Sequence, residues 1–557
     1  MRRRPARLGA DATSRLVLGG YGPLGVIVVT LALLVALVPS KAPEAADVGV
    51  QAGTVGGDEP GGSGPDDTTP VGTDGGTGGG ATSGAGGAGP SRAGQVAGGK
   101  VALGSNCEGG ARQTREPYAP PCITFSGANG GASSLGVTGD KITVTFREGD
   151  LPSIQAVASQ VAEKANIKDT NEDIRRTIRA YFDYFNKKFQ LYGRKAEVTF
   201  YKGQGDQLSE FFGGGAEAAN ADALQVAKEI KGFADLSALT TPYAEALVRQ
   251  KVLALPPVHM SQRWYEEHRP YSYGVLVDCT RLANSMVDYA LKRLVGKPAR
   301  YAGDPAFRTK PRSIGLIVPE QPWYQECAKE GNAKFKAGGG SFAHQINYTL
   351  DFSRLSSEAA NMIAQMKDRG VTTIACMCDP VLPLFLSTQA TQQEYRPEWL
   401  VTGTALTDVD LLGQIYDPEQ WRHAFGISFL SDVYQGSRAE SYRTYKAVRQ
   451  DEPAFIHDVL YYPILMFFLG VHMAGPRLTP ESFEQGLFRY PKTKGETGTW
   501  SFGPGDRTAT DDAREFYFDP NAVSPFNNAK GRYVATLGGN RFVTDWPAGE
   551  VQFPIQP

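Results

Sequence analysis

The chain has 557 residues, with 57 Lys and Arg against 59 Asp and Glu and a formal net charge of −2. That length exceeds one ordinary domain, and so even a charge balance argues against a nucleic-acid-binding surface.

Arg2, Arg3, Arg4, Arg7 and Arg15 form a basic segment, residues 1–15, expected to be cytoplasmic. Residues 16–40 carry no charge and centre on the apolar run Leu24–Val38, which reads as a transmembrane anchor or a signal peptide. No convincing small-x-small cleavage site follows directly and no cysteine follows to carry a lipid. An uncleaved single-pass anchor is therefore the preferred reading, with secretion after signal cleavage as the alternative. Both export residues 41–557, because the arginines stay on the cytoplasmic side. Residues 41–105 form a linker, and Gly49–Gly99 contains 20 glycines and almost no large apolar residue. A tract of this composition buries too little surface to order itself, so it is expected to be a flexible tether reaching roughly 35–45 Å.

The segment 106–139 is an extension in which Cys107 and Cys122 bracket Gly/Pro-rich sequence, and a disulfide between them is expected. The pairing of Cys279, Cys327, Cys376 and Cys378 is left open. Cys376 and Cys378 lie on an apparent strand, whose alternation points both side chains the same way, so a bond to a neighbour is preferred to one between them. A metal reading of that pair lacks further ligands, with only His344 and His423 nearby, and no metal or cofactor is expected.

From Lys141 the chain alternates strand and helix. Lys141–Phe146 is a β-branched strand. Asn171–Asn186 places Ile174, Ile178, Tyr181, Phe182 and Phe185 on one helical stripe, with Gly193 as its C-cap, and Lys195–Tyr201 is the next strand. A strand–helix–strand unit of this length favours a parallel pair with a right-handed crossover. Helices over 218–231 and 241–250 and strands over Phe233–Leu236, Lys251–Leu255 and Tyr271–Val277 follow. The helix 280–295 restarts the alternation, with strands Arg312–Val318, His344–Thr349 and Val371–Cys376, each followed by a helix. Two such blocks predict two doubly wound α/β lobes of three layers (αβα) with a cleft between them. Lobe 1 is expected over 140–278 and about 433–500, and lobe 2 over 279–432. Phe455–Ala474 is apolar enough to suggest a membrane helix, but His457, Asp458, Pro463 and His472 favour a buried helix returning to lobe 1. Residues 501–557 read as short strands and turns packing on the lobes.

The runs Cys122–Ala132 and Gly136–Ile142, Tyr184–Asn186 followed by Gly193–Lys195, and Leu255–Pro257 resemble exported type I periplasmic binding proteins. These are the leucine/isoleucine/valine-receptor-like substrate-binding proteins of ABC importers. The resemblance covers about residues 120–545, mostly through the order of the elements. It implies two lobes joined by three hinge strands that close on a small polar ligand, with an ABC permease as the membrane partner and a monomeric state.

In such proteins first-lobe hydroxyls and backbone N–H groups hold the ligand carboxylate. The resemblance assigns that part to Ser237, Thr240 and Thr241 at a helix N-terminus, and to the loop Val258–Ser261, where Met260 is bulkier than usual and Ser261 is polar. From lobe 2 it assigns Trp323, with Tyr324 beside it, to the ligand's apolar face. The acidic residue expected for an amino group falls near Thr349, where no acid stands; Asp351 is close, and Asp379 is the substitute.

Catalytic patterns are scarce. Gly-x-Ser-x-Gly, the phosphate-binding Gly-x-x-x-x-Gly-Lys-Ser/Thr and His-Glu-x-x-His are absent, and Asp169-x-Asn171-x-Asp173 reads as a helix cap rather than a calcium loop. The expected function is an extracytoplasmic solute receptor, not an enzyme. A membrane-anchored sensor or interaction module of the same fold is the alternative.

Overall fold

The structure is a computed structural model describing residues 99–148, 169–211, 214–258, 260–431, 438–525 and 527–554. The basic segment, the apolar stretch 16–40, the linker up to residue 98, and His259 lie outside the described residues.

The described chain opens with an antiparallel pair, β1 (Lys100–Leu103) and β2 (Ile123–Ser126). Cys107 and Cys122 are disulfide-bonded with Cα atoms 5.8 Å apart. This extension docks on lobe 1. Tyr118 stacks on Trp500 at 4.4 Å and donates from its hydroxyl to the Gly498 carbonyl at 2.7 Å.

Lobe 1 is built on a parallel sheet in the order β4–β3–β5–β6. Its strands are β3 (Lys141–Glu148), β4 (Lys195–Lys202), β5 (Ala234–Asp235) and β6 (Leu253–Ala254). Helix α1 (Asn171–Lys188) starts in a capping box between Thr170 and Asp173. Its stripe of Ile178, Tyr181, Phe182 and Phe185 is fully buried, at roughly 1.5–3 kcal/mol for each large apolar side chain. The helix stops at Lys188 and not at Gly193. Phe189 turns extended and packs its ring against Phe185 and His472, so tertiary packing overrides the glycine signal. Gly193, at φ +83°, instead serves the turn into β4. The apolar helix His457–Ala474 lies in the core of this lobe beside α1, as its interior His and Pro residues suggested. Among the described residues no helix is long and apolar enough to cross a membrane.

The opposite face of the sheet is covered by α2 (Ala216–Leu224), which continues as a π-helical turn to Ile230, and by α3 (Thr241–Arg249). The short α4 (Gln262–Glu267) follows β6. Tyr271–Val277, expected to be a strand, pairs with the sheet only at its start, where Ser272 bridges Ala254 of β6 in parallel, and then runs on as a crossing segment. Gly274 donates from its N–H to the Arg507 carbonyl and accepts from the Ala509 N–H, both at 3.0 Å, so its backbone groups are satisfied by residues 507–510.

The strands β12 (Thr493–Gly495) and β13 (Gly498–Trp500) form a separate antiparallel pair, and lobe 2 repeats the plan on a larger sheet, ordered β15–β14–β11–β10–β9–β7–β8, with β16 (Arg541–Phe542) also pairing β14. Five parallel strands come first: β7 (Ile314–Pro319), β8 (His344–Tyr348), β9 (Thr373–Cys376), β10 (Glu398–Val401) and β11 (Ala424–Ser428). Helices α5 (Cys279–Arg293) and α6 (Pro322–Ala337) cover one face, α7 (Phe352–Asp368) and α8 (Leu382–Gln392) the other. The C-terminal region does more than pack on the lobes. β14 (Ala513–Val523) extends this sheet antiparallel to β11, and β15 (Lys530–Ala535) pairs antiparallel with β14 in turn.

Cys279 is bonded to Cys327, and Cys376 to Cys378. The second bond corrects the expectation that those two cysteines would each find another neighbour. β9 ends at Cys376, so strand alternation no longer governs Cys378. The chain turns there and brings the two Cα atoms to 5.0 Å.

Candidate functional site

In both lobes the first and third strands of the block are neighbours, with the second strand on the outer side of the first. Their loops diverge to opposite faces at that point, and the carboxyl ends of the strands there form the crevice in which open α/β sheets bind ligands. For lobe 1 this is the end of β3 and β5; for lobe 2, of β7 and β9.

At the end of β5, Ser237 is buried and held on both sides. Its Oγ donates to Asp235 Oδ1 at 2.6 Å and accepts from the Arg147 N–H at 2.7 Å. Asp235 Oδ2 accepts from Thr145 Oγ1 at 2.7 Å and Tyr243 OH at 3.0 Å. Burial pushes the Asp235 carboxyl above the usual range despite those bonds, which lower it. Thr240 stands at the N-cap of α3, but its hydroxyl accepts from no helix N–H and donates instead to Glu210 Oε2 at 2.6 Å. Glu210 and Asp222 together bind the guanidinium of Arg147, which lies 3.7 Å over the Tyr243 ring. Thr241 is half-buried, with Oγ1 3.6 Å from Met260 Sδ. Met260 is buried in the lobe-1 cluster with Tyr243 and Trp264. Ser261 caps α4 by accepting from the Trp264 N–H at 3.0 Å, and donates to Glu326 Oε2 of lobe 2 at 3.0 Å.

On the lobe-2 side Trp323 and Tyr324 begin α6, Trp323 half-buried and Tyr324 buried. Burial and the nearby Asp379 charge push the Tyr324 hydroxyl above its ordinary value. Asp379 is buried and caps the loop into α8. Its Oδ1 accepts from the N–H of Val381 at 2.7 Å and of Leu382 at 3.1 Å, and its Oδ2 from Tyr348 OH at 2.5 Å. Burial raises this carboxyl also, against the lowering by its hydrogen bonds.

Thus the structure brings Met260 and Thr241 together in lobe 1, Tyr324 and Asp379 together in lobe 2, and Ser261 against lobe 2. It draws Ser237 and Thr240 into a buried polar network under the loop. One segment in the same setting was missed from sequence. After β10, Ala405 at φ +48° and Leu406 at φ +68° are successive left-handed residues, both buried, and each such non-glycine residue costs about 1–3 kcal/mol. Thr402 Oγ1 bonds the Cys376 carbonyl at 3.0 Å and Thr404 Oγ1 at 2.9 Å, tying this loop to the end of β9. Gly403, also left-handed, was its one sequence signal. Among the described residues no group of three or more His, Cys, Asp or Glu is arranged to hold a metal ion.

The sequence profile described as periplasmic binding protein matches residues 161–520. The chain belongs to the periplasmic binding protein family. The family member is similar to the solute-binding protein of an ABC transporter from Rhodopseudomonas palustris BisB5 in complex with 3,4-dihydroxybenzoic acid, at 15% identity and TM-score 0.47, over 73% of this chain and 98% of that one. It is also similar to a fatty acid ABC transporter substrate-binding protein from Thermomonospora curvata (13%, TM-score 0.48, 75% and 96%). A third likeness is to a branched-chain amino acid transporter substrate-binding protein from Streptococcus pneumoniae in complex with isoleucine (13%, TM-score 0.43, 71% and 100%). No curated protein sequence matches the chain.

Proposed function

We propose that this periplasmic binding protein captures a small polar ligand, an amino acid or a related carboxylate or amide, in the cleft between its lobes and delivers it to an ABC permease. The observation that carries the reading is the repeated strand order, which presents a crevice on each lobe, and the crossing segment Tyr271–Val277 that joins the lobes supports it. Thr241 and Ser261 serve the polar end from lobe 1, over the network that holds Ser237 and Thr240. Trp323, Tyr324 and Asp379 complete the site from lobe 2, and Met260 narrows it. The N-terminal apolar stretch holds the monomeric domain outside the cytoplasm on its glycine-rich tether.

Binding without chemistry agrees with the state of a Ser441, His457 and Asp458 grouping. Ser441 Oγ lies 2.8 Å from His457 Nδ1 and donates to Asp458, yet the serine is fully buried in lobe 1 and offers no route for a substrate. The internal commitments of Ser237, Thr240, Ser261 and Asp379 favour a second reading, a sensor or interaction module that binds no transported solute. Titration calorimetry with the compound recovered by native extraction, on wild type, Thr241→Ala and Trp323→Ala, separates the two. Weaker binding in both variants supports the receptor; wild-type affinity in both places the site elsewhere.

A further inference from the structure

Helix α4 has only six residues but meets three other parts of the molecule. Just before it, the Met260 carbonyl accepts from the Cys279 N–H at 3.0 Å, and the Gln262 N–H donates to Thr280 Oγ1 at 3.2 Å, both at the start of α5. Gln262 Nε2 donates to the Gly505 carbonyl at 2.7 Å, and Glu266 Oε1 accepts from the Gly505 N–H at 3.0 Å, on a second crossing segment, residues 505–510, which meets the first at Gly274. These contacts use backbone groups at the crossing itself.

A different set reaches across to α6. Glu326 Oε1 accepts from Arg263 Nε at 2.7 Å, while Oε2 accepts from Arg263 Nη2 at 3.1 Å and from Ser261 Oγ. Glu267 and Glu330 add negative charge near the same guanidinium. Glu326 precedes Cys327, whose bond to Cys279 staples α6 to the start of α5. The carboxylate therefore stands at a fixed place on lobe 2, three residues from Trp323 and two from Tyr324. Its partners belong to the loop after β6 on lobe 1, and they are side chains whose reach ends when the lobes swing apart.

We propose that Glu326 is a positioning residue for lobe closure: paired with Arg263 and Ser261, it favours the arrangement in which the Met260–Ser261 loop meets the first turn of α6. It sets the balance of open and closed forms without touching the ligand. This rests on the two-lobe receptor reading, because a closure equilibrium is what the pair biases. Arg263 is 67% exposed and Glu326 18%, so the pair acts with the modest strength of an ion pair at a surface. Its loss should raise the open fraction roughly two- to fivefold.

The test is the interlobe distance in the full chain without ligand. Spin labels are placed on Lys202→Cys and Lys336→Cys, one on each lobe. All six native cysteines are paired, so only the introduced thiols take label. Glu326→Gln and Arg263→Gln should lengthen and broaden the distance distribution with little change in melting temperature, and the exchange Arg263→Glu with Glu326→Arg should restore it. High salt should move wild type toward the single variants. Identical distributions in wild type and both single variants would overturn the proposal, as would a shift that the exchange fails to correct. Ligand does not enter the measurement. A distance response in a protein that never yields a bound solute would leave the role of Glu326 standing and remove the receptor reading.

Discussion

Arg147 Nη2 stands 2.7 Å from Glu210 Oε2 with both side chains buried, and Asp222 takes the same guanidinium at 3.0 Å. This ion triad lies directly under the candidate ligand loop of lobe 1. The Arg147 backbone holds Ser237, and Glu210 holds Thr240, so the loop's shape depends on a charge cluster that never meets solvent.

Arg147→Met should destabilise the protein by about 3–5 kcal/mol, because it leaves two carboxylates buried without a counter-charge. Urea unfolding checks this. The double change Glu210→Gln with Asp222→Asn should be better tolerated in the Arg147→Met background than in wild type, since it removes the stranded charges.

The crossing segments carry a second imbalance. Arg281 pairs with Asp278 at 2.7 Å, Asp506 at 2.8 Å and Asp511 at 3.1 Å, three acids on one base. Burial, with the neighbouring Asp511 and Asp278 and against Arg281, pushes Asp506 up to about 7. Its folded form keeps a proton that the unfolded chain releases near pH 4, so stability contributed by this group falls as pH rises from about 4 to 7. Asp506→Asn removes that slope. Unfolding free energies at pH 5 and pH 8 should fall less in the variant than in wild type, by on the order of 1–3 kcal/mol. Equal slopes would mean that Asp506 is already ionised at pH 5.

Peptide mapping without reduction should recover the pairs Cys107–Cys122, Cys279–Cys327 and Cys376–Cys378. Replacing Cys107 and Cys122 together by Ser should cost about 3 kcal/mol, as expected for a loop of this length. Alkylation of Cys107 or Cys122 in the native protein would contradict the pairing.

If residues 16–40 anchor the chain, protease added to intact spheroplasts should cut the glycine-rich tract and release nearly the whole domain. Full protection of the domain would contradict the export reading.

The α/β alternation was legible because most parallel strands here are buried on both faces and read as unbroken apolar runs, as in Ile314–Val318. Strands that carry paired charges were not. β10 opens on Glu398, buried against Arg312 at 2.7 Å, and β14 carries Glu515, buried against Arg293 at 3.1 Å. Each looks polar until its partner, more than 80 residues away in sequence, is known. The same distance effect governs the site. Ser237, Thr240 and Asp379 were recognisable as polar residues at strand ends, but their bonds to Arg147, Glu210 and Tyr348 arise only from the fold. Thr402–Leu406 escaped notice because a left-handed Ala–Leu pair leaves no compositional mark.

At the cleft, Ser261→Ala should weaken ligand binding by about 1–3 kcal/mol through loss of a buried hydroxyl partner. Trp323→Ala should cost about 2 kcal/mol or more if its ring anchors the ligand. Fold stability should change less than in Arg147→Met, since both residues stand at the ends of elements and not in the sheets.

Native mass spectrometry of the wild-type chain beside Trp323→Ala tests the central claim most directly. The receptor account predicts one small polar molecule bound per wild-type chain, released on denaturation, and depleted in the variant. A wild-type chain that flies at its bare polypeptide mass, even after exposure to the cell extract it came from, would contradict it.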